Sequence, residues 1–174
     1  RDALQQRKPL FEPAFMYKHA YARADIMNPV SGNRWDIIEV KSSTKVQPVY
    51  LDDLALQWYV YKGAGLKIRK CFILCINNKY MRRGEVNPKK LFTKVDVTRE
   101  VSRRLNRVGR SVNKMLKTIL LKKTPEVPIG PQCDDPYTCP LHDMCWDFLP
   151  ADSVFTLYSL RRKKGFDLLR KHIF

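Results

Sequence analysis

The run IRKCFILCI, Ile68 to Ile76, constrains the fold more than any other stretch of the chain. It has the length of a strand, and its continuous apolar character is that of a strand covered on both faces of a sheet, which requires helices packed against it. Trp35 to Ser42 (WDIIEVKS) adds a strand by alternation. Phe11 to Met27, rich in Phe, Tyr, Ile and Ala, reads as two more, turning near Lys18 to Ala20. The stretch NPVSGNR supplies a turn, so Asp25 and Glu39 are expected on neighbouring antiparallel strands. Asp52 and Asp53 are helix-start residues ahead of LALQWYVYK, and Gly63 and Gly65 close that helix. The expected core order is strand, strand, strand, helix, strand.

After a polar loop, Asp96 to Lys123 is the longest periodic segment, with Val101, Leu105, Val108, Val112, Leu116 and Ile119 spaced by three and four. Its other face carries Arg99, Arg103, Arg104, Arg107, Arg110, Lys114 and Lys117, a run of one sign. Either that face is simply solvated or it is a track for phosphates. The balance of 33 Lys and Arg against 17 Asp and Glu, a net charge of +16, suits a polyanionic partner, with nucleic acid foremost.

The 174 residues fit one domain, and 44% apolar residues exclude a disordered chain. No apolar run approaches the roughly 18 residues of a membrane-spanning helix. Five cysteines, few and odd in number, argue against a disulfide-stapled secreted scaffold and for a reducing, cytoplasmic compartment. The chain opens on Arg1, and both termini read as cut ends of a longer protein. Residues 1 to 10 read as the tail of a helix. Residues 151 to 174 read as a linker or short helix toward a further domain, following a domain over residues 1 to 150.

In Glu39-Val40-Lys41 the period of two puts Glu39 and Lys41 on one face of a strand. Asp25, on the adjoining strand, reaches that face. Two carboxylates beside a lysine are what metal-dependent hydrolysis of a phosphodiester needs: hard oxygen ligands for Mg2+ or Mn2+, and a cation for charge that builds in the transition state. Gln57 and Tyr61, four apart in the next helix, share one face.

The ordered set Asp25, Glu39-Val40-Lys41, Gln57-x-x-x-Tyr61 and a distal cysteine group resembles the PD-(D/E)XK nuclease superfamily, in its RecB-like branch, which includes CRISPR-associated iron-sulfur exonucleases. The likeness runs from Phe11 to Trp146. The stretches FEPAF, RADIM, IIEVKSST, LDDLALQWYVY and CPLHDMCW also resemble a bacterial family carrying such a domain. The resemblance implies an α/β, restriction-endonuclease-like αβββαβ core with a mixed central sheet flanked by helices, plus a long basic helix and a C-terminal cysteine-bearing segment. It implies that Asp25, Glu39 and the main-chain carbonyl of Val40 bind the metal, that Lys41 is catalytic, and that Gln57 and Tyr61 orient Lys41 or grip the substrate backbone. Glu12 is a further acidic candidate. Around the active site the chain departs from the family in two respects: the upstream helix that contributes a Glu or His is missing, and Tyr21-Ala22-Arg23-Ala24 stands where a Gly often precedes the metal-binding Asp.

Cys133, Cys139 and Cys145, with Pro136 and Pro140 between them, look like ligands. Iron-sulfur clusters take four thiolates as a rule, and structural zinc takes four Cys or His. The resemblance implies a 4Fe-4S cluster whose fourth cysteine lies outside this fragment, and zinc completed by His142 is the alternative. The spacing C-x5-C-x5-C departs from the family's commoner C-x2-C-x5-C. Cys71 and Cys75 read as small hydrophobes in a buried strand.

The leading expectation is a metal-dependent DNA nuclease, an exonuclease acting on single-stranded DNA or free ends. Arg103, Arg104, Arg107, Arg110 and Lys114 would bind the nucleic acid. The alternatives are a non-catalytic nucleic-acid-binding module of a repair or defence assembly, and a zinc-stabilised adaptor.

Overall fold

The computed structural model describes residues 2–174. The chain divides into two compact units, Arg1–Leu120 and Leu121–Phe174.

The first unit is mixed α/β. Its elements are α1 (Asp2–Gln5), β1 (Leu10–Phe11), β2 (Ala14–Tyr17), β3 (Ala20–Arg23), β4 (Ile26–Val30), β5 (Arg34–Lys41), α2 (Pro48–Gly63), β6 (Lys67–Ile76), α3 (Pro88–Leu91), β7 (Phe92–Asp96), α4 (Thr98–Ser102) and α5 (Leu105–Ile119). Five strands form one sheet in the order β1-β4-β5-β6-β7. The β5–β6 pair is parallel and its neighbours are antiparallel, so the sheet is mixed. A parallel pair needs a crossover, and α2 is that crossover.

The expected strands are present with more subdivision. Phe11 to Met27 breaks into β2 and β3, which pair in a sheet of their own, and the start of β4. The hairpin turns on Lys18 and His19, both at positive φ (46° and 63°), the conformation that a two-residue turn between twisted strands demands. The turn after β4 is tighter than NPVSGNR, because Asn28, Pro29 and Val30 still pair with β5. Helix α2 starts before the two aspartates, with Pro48 in its first turn. Its last residue, Gly63, is dictated by packing: a Cβ there would lie 2.2 Å from the ring of Tyr17.

One face of the sheet carries the core. Met27, Ile37, Cys71, Ile73 and Cys75 pack with Leu54, Ala55, Val60, Tyr61 and Val101. Burial drives the Cys71 thiol pKa upward, with the charges of Asp36 and Asp96 adding to it, as expected of a small hydrophobe. The alternate residues Phe72, Leu74 and Ile76 are only half-buried, so β6 is not covered on both faces as its composition predicts.

The long basic helix is also corrected. Asp96 ends β7, which pairs antiparallel with β6. Its carboxylate accepts the Thr98 N–H at 3.1 Å and the Thr98 hydroxyl at 2.6 Å, which turns the chain into α4. Arg103 and Arg104 then interrupt the helix: the Arg104 N–H bonds back three residues to Val101 and the Arg107 N–H three residues to Arg104, tightening the turn before α5. The apolar stripe is buried at Val101 and Val112, whereas Ile119 is 75% exposed.

The second unit contains a short 3-10 turn (Pro131–Cys133), α6 (His142–Trp146) and α7 (Arg162–Leu169). Trp146 meets Phe155 and Phe166 edge-on, with ring centroids 4.8 and 5.8 Å apart, and Val154 and Phe166 are buried. This aromatic centre joins the cysteine-bearing segment to the C-terminal residues, so the break expected near residue 150 falls inside a compact unit. No helix among the described residues is long and apolar enough to cross a membrane.

Candidate active site

Strand β5 ends in Glu39-Val40-Lys41, and Asp25 directly precedes β4. The register Ile26 to Ile38 brings Asp25 alongside that end. Asp25 Oδ2 accepts the Val40 N–H at 2.6 Å, and no hydrogen bond among the described residues takes up Oδ1. Glu39 is buried, with Oε1 2.9 Å from Lys41 Nζ and Oε2 2.9 Å from Gln57 Nε2. The two acids and the lysine expected from sequence are therefore brought together at one sheet end.

Helix α2 holds this set through side chains four residues apart. Asp53 Oδ2 lies 3.2 Å from Lys41 Nζ, Gln57 bonds Glu39, and the Tyr61 hydroxyl donates to the Pro13 carbonyl and accepts the Ala24 N–H at 2.9 Å. Successive helical turns thus meet the lysine, the glutamate and the backbone just before Asp25. Neither Gln57 nor Tyr61 hydrogen-bonds Lys41. Gln57 orients Glu39, and Tyr61, fully buried, fixes the segment leading to Asp25. Desolvation pushes the Tyr61 hydroxyl up to about 12, so it stays protonated and keeps its donor.

Asp53 enters the site without a functional signal of its own in the sequence. Its position four residues before Gln57, on the same face, is the signal that finds it. Burial alone would lower the pKa of the Lys41 ammonium. The hydrogen bonds and charges of Glu39 and then Asp53 outweigh burial and raise the pKa above the ordinary lysine value. Lys41 is thus a fixed cation, which also lies 5.1 Å from the centre of the Tyr50 ring.

A magnesium-like ion at this sheet end would be held by Asp25 and Glu39. Such ions keep several waters and bind proteins through one or two carboxylates. Asp25 and Glu39 supply that number, and Asp25 Oδ1 is free to coordinate. Gln57 Oε1 is a buried acceptor without a partner among the described residues, as at a site that takes up a further donor. Glu12 does not join them: its exposed side chain lies 3.4 Å from Arg23, while its N–H donates to the Asp25 carbonyl.

Of the basic residues, Arg103, Arg107, Arg110 and Lys114 are exposed and Arg104 is partly buried. The run is not without acidic neighbours: Glu100 stands four residues before Arg104, and a carboxylate of α2 pairs with two of the arginines. Asp52 of α2 binds two of them through one oxygen, with Arg104 Nε 3.1 Å and Arg107 Nη2 2.9 Å from Oδ1.

Cys133, Cys139 and Cys145 are half-buried and linked locally, the Cys139 N–H donating to the Cys133 carbonyl at 2.7 Å. His142 stacks on Trp146, with ring centroids 4.5 Å apart. No group of three or more His, Cys, Asp or Glu is gathered closely enough to hold a metal among the described residues.

No family model matches the chain, and no curated protein is significantly similar to it.

Proposed function

We propose that the chain is a metal-dependent phosphodiester hydrolase acting on DNA, with Asp25, Glu39 and Lys41 at the reacting phosphate and a restriction-endonuclease-like core around them. One observation carries this reading: Asp25 is bonded to the backbone of Val40, and the residues on either side of Val40 are the ion-paired Glu39 and Lys41.

Asp25 and Glu39 would hold Mg2+ or Mn2+, which when bound polarises a phosphate and lowers the pKa of water. Lys41, kept as an ammonium, offsets negative charge that develops on the phosphate oxygens. Gln57 holds the Glu39 carboxylate in place, and Tyr61 anchors the approach to Asp25. The cationic residues of α5 and its first turn attract the backbone of the substrate.

Cleavage of end-labelled single-stranded DNA by the full chain tests the reading. Activity should require Mg2+ or Mn2+, vanish with chelator, and fall by about 10²-fold or more in Glu39→Ala and Lys41→Ala. Undiminished cleavage by either variant would overturn it.

A further inference from the structure

Two guanidinium groups converge on one carboxylate oxygen between α2 and α5. Arg104 and Arg107, three residues apart at the start of α5, both reach Asp52 Oδ1. That oxygen serves them as a phosphate oxygen would, since arginine forks match phosphate and carboxylate alike. The Arg107 and Asp52 side chains are 61% and 54% exposed, whereas Arg104 is 22% exposed. The clamp therefore has a fixed inner arm and an outer arm open to solvent. Asp52 is also the chain neighbour of Asp53, which holds Lys41, so successive residues on one turn of α2 meet the two arginines and the lysine.

We propose that Arg104 and Arg107 form a clamp for a nucleic-acid phosphate, and that Asp52 is the counter-ion this phosphate displaces. That the same strand runs on to the reacting phosphate rests on the hydrolase reading; the clamp itself does not. A half-exposed ion pair contributes little, so a phosphate carrying the charge of a whole strand behind it competes with it. The clamp gives the strand a second anchor, which would set its path from the sheet end across the first turns of α2 to α5.

The experiment is fluorescence anisotropy of a labelled single-stranded oligonucleotide with the full chain, in chelator, over a range of salt concentrations. Arg104→Gln with Arg107→Gln should weaken binding about tenfold and flatten the log–log salt slope by about 1 to 2. The exposed pair Arg82→Gln with Arg83→Gln should cost distinctly less. Asp52→Asn should tighten binding about threefold, against no comparable gain in the equally charge-changing Asp2→Asn. If the double arginine variant does not fold, Arg107→Gln, at a mostly exposed side chain, carries the same test. The clamp is overturned if the Arg104 and Arg107 variants lose no more affinity than the Arg82 and Arg83 pair. It is equally overturned if Asp52→Asn lowers thermal stability and binds no better than Asp2→Asn, the signature of a purely structural staple. Binding is read without cleavage, so the clamp can fail while Glu39→Ala still abolishes hydrolysis, and the reverse.

Discussion

The Asp25 carboxylate accepts the backbone N–H of Val40 at 2.6 Å, tying the first acid to the residue that separates Glu39 from Lys41. A charge-assisted bond of this kind is short and strong, and losing it leaves a half-buried N–H unpaired. Asp25→Asn keeps an oxygen for Val40 and should stay within about 1 kcal/mol of the parent in urea unfolding. Asp25→Ala should cost about 1–3 kcal/mol. Equal stability of the two variants would show that the bond contributes nothing to the fold.

Gln57 is a residue whose activity and stability should separate. It is buried, its amide nitrogen serves Glu39, and its Oε1 has no partner among the described residues. Relief of an unmet acceptor and loss of the bond to Glu39 are each worth about 1–3 kcal/mol and oppose one another, so Gln57→Met, close in volume, should unfold near the urea concentration of the parent. DNA cleavage should drop at least tenfold because Glu39 loses its orienting donor. Full activity in that variant would remove Gln57 from the site.

Lys41 makes the pH dependence directional. Its ammonium pKa is raised, with the partners Glu39 and Asp53 outweighing burial, so the stability it contributes is present below the ordinary lysine value and lost as pH rises through the higher folded value. Cleavage that needs the ammonium should likewise persist through the pH at which a free lysine deprotonates. Asp53→Asn removes one of the two partners and should move the alkaline limb of the rate profile to lower pH. Superposable profiles would mean that Asp53 does not act on Lys41.

The cysteines should divide by burial. Cys71 and Cys75 are buried, and Cys133, Cys139 and Cys145 are half-buried. With metal removed, a thiol-reactive disulfide reagent should label the latter three quickly and the former two only on unfolding. Reconstitution with zinc, or with iron and sulfide, should leave that count unchanged if the thiols stay ungathered. Protection of all three would show that metal reorganises the segment.

Asp25, Glu39 and Lys41 were legible because a strand's period of two and a turn between adjacent strands are local rules. Gln57 and Tyr61 were legible because four residues make about one helical turn. Their partners were not, since the targets of Gln57 and Tyr61 depend on how α2 lies against the sheet. The ion pairs of Asp52 with Arg104 and Arg107 span 52 and 55 residues and join two helices, which no spacing rule reaches. The break at Arg103 and Arg104 was hidden for a similar reason. The apolar spacing runs on through it, and the signal lies in Asp96 capturing Thr98, which made β7 and α4 out of what reads as one helix. The half-covered face of β6 was invisible because composition records what a strand can bury, not what arrives to cover it.

Binding of Mn2+, followed by electron paramagnetic resonance in the full chain without DNA, tests the central claim most directly, because it asks whether Asp25 and Glu39 act as one ligand pair. One ion should bind per chain, be lost in both Asp25→Asn and Glu39→Gln, and be retained in Gln57→Met with weaker affinity. Binding that survives both carboxylate substitutions would contradict it.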